Sequence, residues 1–387
     1  MTAPPVTPAQ ATAQSLDTGA AGTALLHVEL ALTGTGTWQD AHEAITRAAA
    51  EPVDASPSGC LLHGAPAIAF VLHAAQADGQ PRYRDAAAAL GRHTARIARL
   101  RLDAARTRIA SGKPGTFSEH DLFYGLTGIG AVLLRTDPGS DTIGAILGYL
   151  TQIVTRPLTL DGIQVPGWWA ARDPDPLHPT PGGHANLGAA HGAAGILAFV
   201  SLAAIGGHAV DGQHEAIAVL CDWYDRWAQD TSDGRWWPEW LTLSDLHAGR
   251  PGQRGPGRPS WCYGTPGVAR ALQLAAMATA DPAMQAAAEQ ALAASLAPER
   301  LATLTSPGLC HGLAGAYQAA ARAAADAITP AVARRLPGAA AALTAAASTR
   351  TGSTALLTGD TGTRLAAETA RRSAAPISGW DTCLLLA

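Results

Sequence analysis

The sequence of 387 residues is short of charge of either sign. Only 15% of its residues are Asp, Glu, Lys or Arg, and the net charge is −4. No block of Lys and Arg dominates, so the clustered basic face that nucleic acid requires is missing and no nucleic-acid partner is expected. Cysteine is scarce: Cys60, Cys221, Cys262, Cys310 and Cys383 are an odd number at wide spacings and do not read as a disulfide framework. No run of about eighteen uninterrupted apolar residues occurs, so no membrane span is expected. Residues 1–14 are rich in Pro, Ala and Thr and lack a charged start followed by an apolar run, which argues against a secretory signal; this stretch is expected to be disordered. A reducing, cytoplasmic setting is the default. Alanine is abundant, and a 47% hydrophobic content favours a globular, mostly helical protein.

What the chain does contain is a repeat. Glycine-punctuated units begin at Gly19 (TGAAG), Gly64 (HGAPA), Gly125 (YGLTG), Gly192 (HGAAG), Gly264 (YGTPG), Gly312 (HGLAG) and Gly359 (TGDTG). The shortest spacings, 45 to 48 residues, fit two helices of about four turns with their connections. Apolar runs of helical spacing follow most units, as in Ile129, Val132 and Leu133. The glycines are expected to let a helix start close against its neighbours, where a Cβ would clash. Seven hairpins that cannot bury their faces alone would stack, and closure into a ring of inner and outer helices is inferred. The last unit is less apolar than its siblings, as terminal repeats often are.

The longer spacings hold other signals. Residues 157–181 are rich in Pro, Asp and Trp, residues 232–259 are similar, and both read as long loops, the first with a small hairpin at Asp161-Gly162. Between them they carry Trp168, Trp169, Trp236, Trp237 and Trp240, which either grip an extended peptide or cover one end of the ring. The basic run 96–108 reads as a solvated face, with a peptide-binding edge as the lesser reading. The tail 377–387 is apolar enough to dock on the body, and Cys60, Cys221 and Cys383 read as small buried hydrophobes.

Two of the units carry soft metal ligands at the same phase. Cys262 precedes Tyr263-Gly264, and Cys310-His311 precedes Gly312. If the units are equivalent in space, Cys262, Cys310 and His311 converge. Two thiolates and one imidazole make a three-ligand zinc set that leaves the fourth tetrahedral position open. Cys310 and His311 would point apart on a regular helix, so both reach one ion only from irregular backbone at a helix entrance. Zinc with two thiolates is a weak Lewis acid towards water but still depresses the pKa of an incoming thiol, so the set favours activating a substrate thiol. His191 shares this phase and reads as a fourth ligand, a packed histidine or, the favoured reading, a general acid/base. Asp121 either orients His191 or caps a helix. Arg258 and Tyr263 are candidates to stabilise an oxyanion. His63 shares the phase too, but with no acidic partner nearby in sequence it reads as structural.

The stretches RPSWCYGTPGVARAL, LCHGLAGAYQAA, PGGHANLGAAHGAAGILAF, FYGLTGIGAVLL and WDTCLLLA resemble the LanC lanthipeptide cyclases, in particular the stand-alone enzymes of class I systems, and the likeness spans essentially the whole chain. The resemblance implies an all-α protein, an α/α toroid of seven inner and seven outer helices over residues 1–387, with one Zn2+ per chain. It implies Cys262, Cys310 and His311 as zinc ligands, His191 and Asp121 as the acid/base pair, and Arg258 and Tyr263 as further active-site residues. The implied reaction is intramolecular Michael addition of a peptide cysteine to dehydroalanine or dehydrobutyrine. The implied substrate is a dehydrated precursor peptide, leader plus core, with a dehydratase and an exporter as further partners. A small β-rich domain inserted in some members is expected to be absent or vestigial, since the second-to-third spacing leaves little room for it. The rival reading is a LanC-like zinc protein that binds glutathione or a protein partner without forming rings.

Overall fold

A computed structural model describes residues 12–172 and 179–387. In chain order its helices are α1 (Ala20–Leu32), α2 (Trp38–Ala48), α3 (Ala65–Ala74), α4 (Arg84–Ala110), α5 (Phe117–His120), α6 (Leu126–Thr136), α7 (Asp141–Thr155) and α8 (Ala193–Ile205). They continue as α9 (Gln213–Trp227), α10 (Leu243–Ala248), α11 (Thr265–Thr279), α12 (Pro282–Ser295), α13 (Pro298–Leu301), α14 (Leu313–Ala325), α15 (Leu336–Ala347) and α16 (Asp360–Arg372).

Seven of these helices, α1, α3, α6, α8, α11, α14 and α16, start at the seven glycine units. Each packs against the next, and α16 packs against α1, so the inner ring is closed. Among the described residues α2, α4, α7, α9, α12 and α15 alternate with them on the outside. A seventh outer helix is not among those residues, and 1–11 lie outside them. Residues 12–14, expected to be disordered, are placed; Gln14 is buried and its amide donates to Pro52 O at 2.9 Å.

Small residues allow this closeness. A Cβ on Gly267 would lie 1.9 Å from Trp261 O, and one on Gly315 would lie 1.8 Å from Leu309 O. The second glycine of a unit therefore lets the helix entrance fold back on the carbonyl six residues earlier. The second unit, with Ala67 in that place, lacks this contact and takes a different path, with Gly64 at φ +74°.

Backbone bonds tie the units together around the ring. Ala190 N donates to Cys262 O at 3.3 Å, Cys262 N to Cys310 O at 3.1 Å, Cys310 N to Leu357 O at 2.8 Å and Leu356 N to Asp17 O at 2.7 Å. Leu16 N reaches Leu62 O at 2.8 Å, and Leu122 N reaches Ala190 O at 3.2 Å. All the glycine turns, and hence the inner-helix N-termini, share one end of the ring. That end carries the partial positive charge of several helix dipoles, which favours thiolates.

The long connections differ from the loops expected. The hairpin of β1 (Leu158–Leu160) and β2 (Ile163–Val165) turns at Asp161-Gly162, and 173–178 lie outside the described residues. β3 (His184–Asn186) pairs antiparallel with β6 (Trp240–Thr242), while β4 (Gln229–Thr231) and β5 (Gly234–Trp236) form a hairpin. The second connection also folds α10, which Thr242 and Asp245 start with a reciprocal capping box. Trp168, Trp169, Trp236 and Trp237 are buried, so they are packing residues rather than a peptide grip; Trp240 stays half-buried beside the site. Between the second and third units there is one long helix, α4, and no strand.

The basic run on α4 is not simply a solvated face. Arg106 is exposed beside Asp103, but Arg99 donates to Thr142 Oγ1 at 3.1 Å and Arg108 pairs with Glu119 at 2.5 Å. The tail docks as its composition implies. Trp261 Nε1 donates to Leu384 O at 3.2 Å, Arg270 Nε donates to Leu386 O at 3.1 Å, and Arg322 clamps the fully buried Asp381 through two bonds of 2.6 and 2.7 Å. Cys60 and Cys383 are buried and Cys221 is half-buried; all five cysteines are free.

Candidate active site

Cys262, Cys310 and His311 meet at the glycine end of the ring, with ligand atoms all within 4.8 Å of one another. They leave irregular backbone just ahead of α11 and α14, and the bond from Cys262 N to Cys310 O sets the two turns side by side. Cys262 is buried, while Cys310 and His311 are half-buried, so the cluster opens towards solvent from one side. Cys310 shares a hydrogen bond with Cys262 that holds the Cys262 thiol below its usual range, against the opposing effect of burial, and the Ser260 hydroxyl, 3.5 Å away, adds to this. The same bond, with burial, pushes Cys310 up. Burial and the charge of exposed Arg258 lower His311 and favour neutral imidazole, the ligating form. The donor set fits a zinc ion with a vacant fourth position.

His191 lies beside this cluster in the fourth unit. Its Nδ1 is 2.6 Å from Asp121 Oδ2, and the other carboxylate oxygen accepts from Tyr124 N and Gly125 N, each at 2.7 Å. Asp121 thus closes the third turn and bonds His191 at once, but it does not cap α6, whose N-cap is Gly125 with no side-chain cap bond. Burial raises the Asp121 pKa, partly offset by the His191 bond. Phe117 and Phe123 press edge-on against the imidazole at 5.4 and 5.3 Å between ring centres, and Tyr124 stacks on it at 6.2 Å.

Tyr263 stands between the two groups. Its ring is 6.2 Å from His191, its hydroxyl is 3.5 Å from Asn186 Nδ2, and Trp240 meets it edge-on at 6.5 Å. Burial raises its pKa, so the hydroxyl keeps its proton. Arg258 is exposed, and its charge reaches Cys262, Cys310 and His311.

The structure therefore brings all seven sequence-predicted site residues to one mouth. Sequence reasoning missed Ser260, Asn186 and Glu239, whose charge acts on both Cys262 and Tyr263. Ser260 was legible, two residues before a ligand; Asn186 and Glu239 arrive through the β3–β6 pairing, which no local pattern announces. His63 is a correction. It does have an acidic partner, Asp54, with Nε2 3.1 Å from Oδ2, in a loop whose sharp path brings together residues nine apart.

A closed ring of helical hairpins with a Cys–Cys–His cluster and a His–Asp pair at its mouth defines an α/α toroid with an open metal-type centre. Residues 10–372 match the lanthionine synthetase C-like proteins, and the chain belongs to that family. A solved structure of nisin cyclase superimposes with a TM-score of 0.82, covering 97% of this chain and 92% of that one at 20% sequence identity. No curated protein sequence matches. Among the described residues no helix is long and apolar enough to cross a membrane.

Proposed function

We propose that this chain is a zinc-dependent lanthipeptide cyclase. It would join peptide cysteine thiols to dehydroalanine or dehydrobutyrine in a dehydrated precursor peptide, forming lanthionine or methyllanthionine rings. The observation that carries the reading is the convergence of Cys262, Cys310 and His311 beside the His191–Asp121 pair. A zinc ion held by the three ligands would depress the pKa of an entering thiol while leaving its sulfur nucleophilic.

The chain's own residues supply the proton chemistry. The thiol gives up its proton to His191 Nε2, sulfur bonds to the β-carbon, and the electron pair of the double bond moves to the α-carbon and its carbonyl as an enolate. Asp121 holds His191 through Nδ1, leaving Nε2 as the atom that delivers a proton to the α-carbon. The reaction is an isomerisation, with no atom gained or lost. Arg258 and the protonated Tyr263 hydroxyl offer positive charge and a hydrogen bond to the enolate oxygen. Phe117, Phe123 and Tyr124 crowd the imidazole and limit water around it. The substrate implies a dehydratase acting beforehand, and an exporter acting on the product is the further expected partner.

The test is to incubate a dehydrated precursor peptide with the protein and count residual free thiols by alkylation and mass spectrometry. Thiols lost faster than in buffer, with one ring pattern, support the reading. Loss at the buffer rate, with zinc bound, would favour a binding protein instead.

A further inference from the structure

Arg101 belongs to the basic run 96–108, which reads as a solvated face, yet it lies half-buried at the mouth. Its side chain crosses from α4 to two other segments. Nε donates to Pro57 O at 2.8 Å, and a terminal nitrogen donates to Tyr124 O. Pro57 belongs to the loop of the second unit, and Tyr124 is the residue whose N–H is held by Asp121.

This bridge falls at a particular place. At the other six steps around the ring, including the closing one, consecutive units are joined by a backbone N–H to carbonyl bond. Between the second and third units no such bond is present among the described residues, and the second unit is the one that lacks its second glycine. Arg101 takes the place of the missing link.

Resting on the reading of His191 and Asp121 as the acid/base pair, we propose that Arg101 is a positioning residue for that pair. It fixes the third turn against the second unit, so that the Asp121 carboxylate is aimed at His191 Nδ1. The turn from Asp121 to Gly125 is short and is held from both ends. Asp121 closes it internally through Tyr124 N and Gly125 N, and Arg101 anchors it externally through Tyr124 O. Without the anchor the turn remains formed but is free to rock, and an error of about 1 Å in such a pair costs on the order of a hundredfold in rate. The Arg101 charge also reaches Asp121 and Cys60, which favours the ionised carboxylate.

The test reads the pair without turnover. In the zinc-loaded protein, the proton on His191 Nδ1 in its 2.6 Å bond to Asp121 is expected to give a low-field NMR resonance that is absent from His191→Asn. Arg101→Gln is expected to broaden or abolish that resonance while zinc content and circular dichroism stay as in wild type. Arg101→Lys should restore it only in part, since lysine lacks the planar fork that spans two carbonyls. Arg106→Gln, on the exposed face of the same helix, should leave it unchanged. If Arg101→Gln unfolds, the Lys variant carries the test. An unaltered resonance in a folded Arg101→Gln or Arg101→Lys protein would overturn the proposal, even if the chain forms no rings.

Discussion

His191 and Asp121 lie 70 residues apart in sequence and 2.6 Å apart in space, Nδ1 to Oδ2. The carboxylate is buried, and its second oxygen is occupied by two backbone amides, so only one edge is left for the imidazole. One imidazole nitrogen is thereby committed and the other is free to move a proton.

His191→Asn is therefore expected to keep zinc and fold but lose cyclisation rate by roughly 10²- to 10⁴-fold, the usual contribution of a positioned acid/base. Asp121→Asn should fall in the same range, because an amide nitrogen in place of Oδ2 cannot accept the Nδ1 proton. Single-turnover rates alongside metal analysis check both. Loss of metal from His191→Asn would make His191 a ligand instead.

His120 sets a pH dependence of stability. Burial pushes its pKa down from 6.5 to about 4, and its Nε2 has no hydrogen-bond partner. The folded state holds it neutral, whereas the unfolded chain protonates it below about 6.5. Its contribution is fully present above that pH and is lost as pH falls towards 4, to the extent of about 3 kcal/mol. Urea unfolding at pH 7 and pH 4.5 should show a smaller drop for His120→Gln than for wild type. Equal drops would contradict this reading of the buried histidine.

Glycines on the two helix layers should respond in opposite directions. Gly267→Ala puts a methyl 1.9 Å from Trp261 O, forces the turn carrying Cys262 to shift, and is expected to cost about 1–3 kcal/mol and weaken metal binding. Gly148 in α7 is exposed with nothing within 4 Å of an added Cβ, so Gly148→Ala should stabilise by about 0.5–1 kcal/mol. Thermal melts of the two variants beside wild type decide it.

Much of this architecture was legible because the repeat writes one physical constraint in six of its seven units. Each glycine turn must let a helix entrance touch its neighbour, and the residues just before the glycine then face a common mouth. That phase alone predicts that Cys262, Cys310, His311 and His191 converge. What the phase could not show were contacts made across it. Asp54 reaches His63 by a loop turning back on itself, and Asn186 and Glu239 enter through a β3–β6 pairing distant in sequence. Arg101 is one of seven arginines on α4, and only packing decides which of them turns inward. The tryptophans left two readings open for a related reason, since composition records how many there are but not which side of the chain is buried, and burial of four of them decides for packing.

The most direct measurement is the zinc content of the purified protein, prepared without chelators, beside Cys262→Ala. The account predicts one zinc per chain in the wild type and its loss in a variant that stays folded. A folded wild type without zinc, or a Cys262→Ala protein that retains it in full, would contradict the assignment of Cys262, Cys310 and His311 as the metal centre.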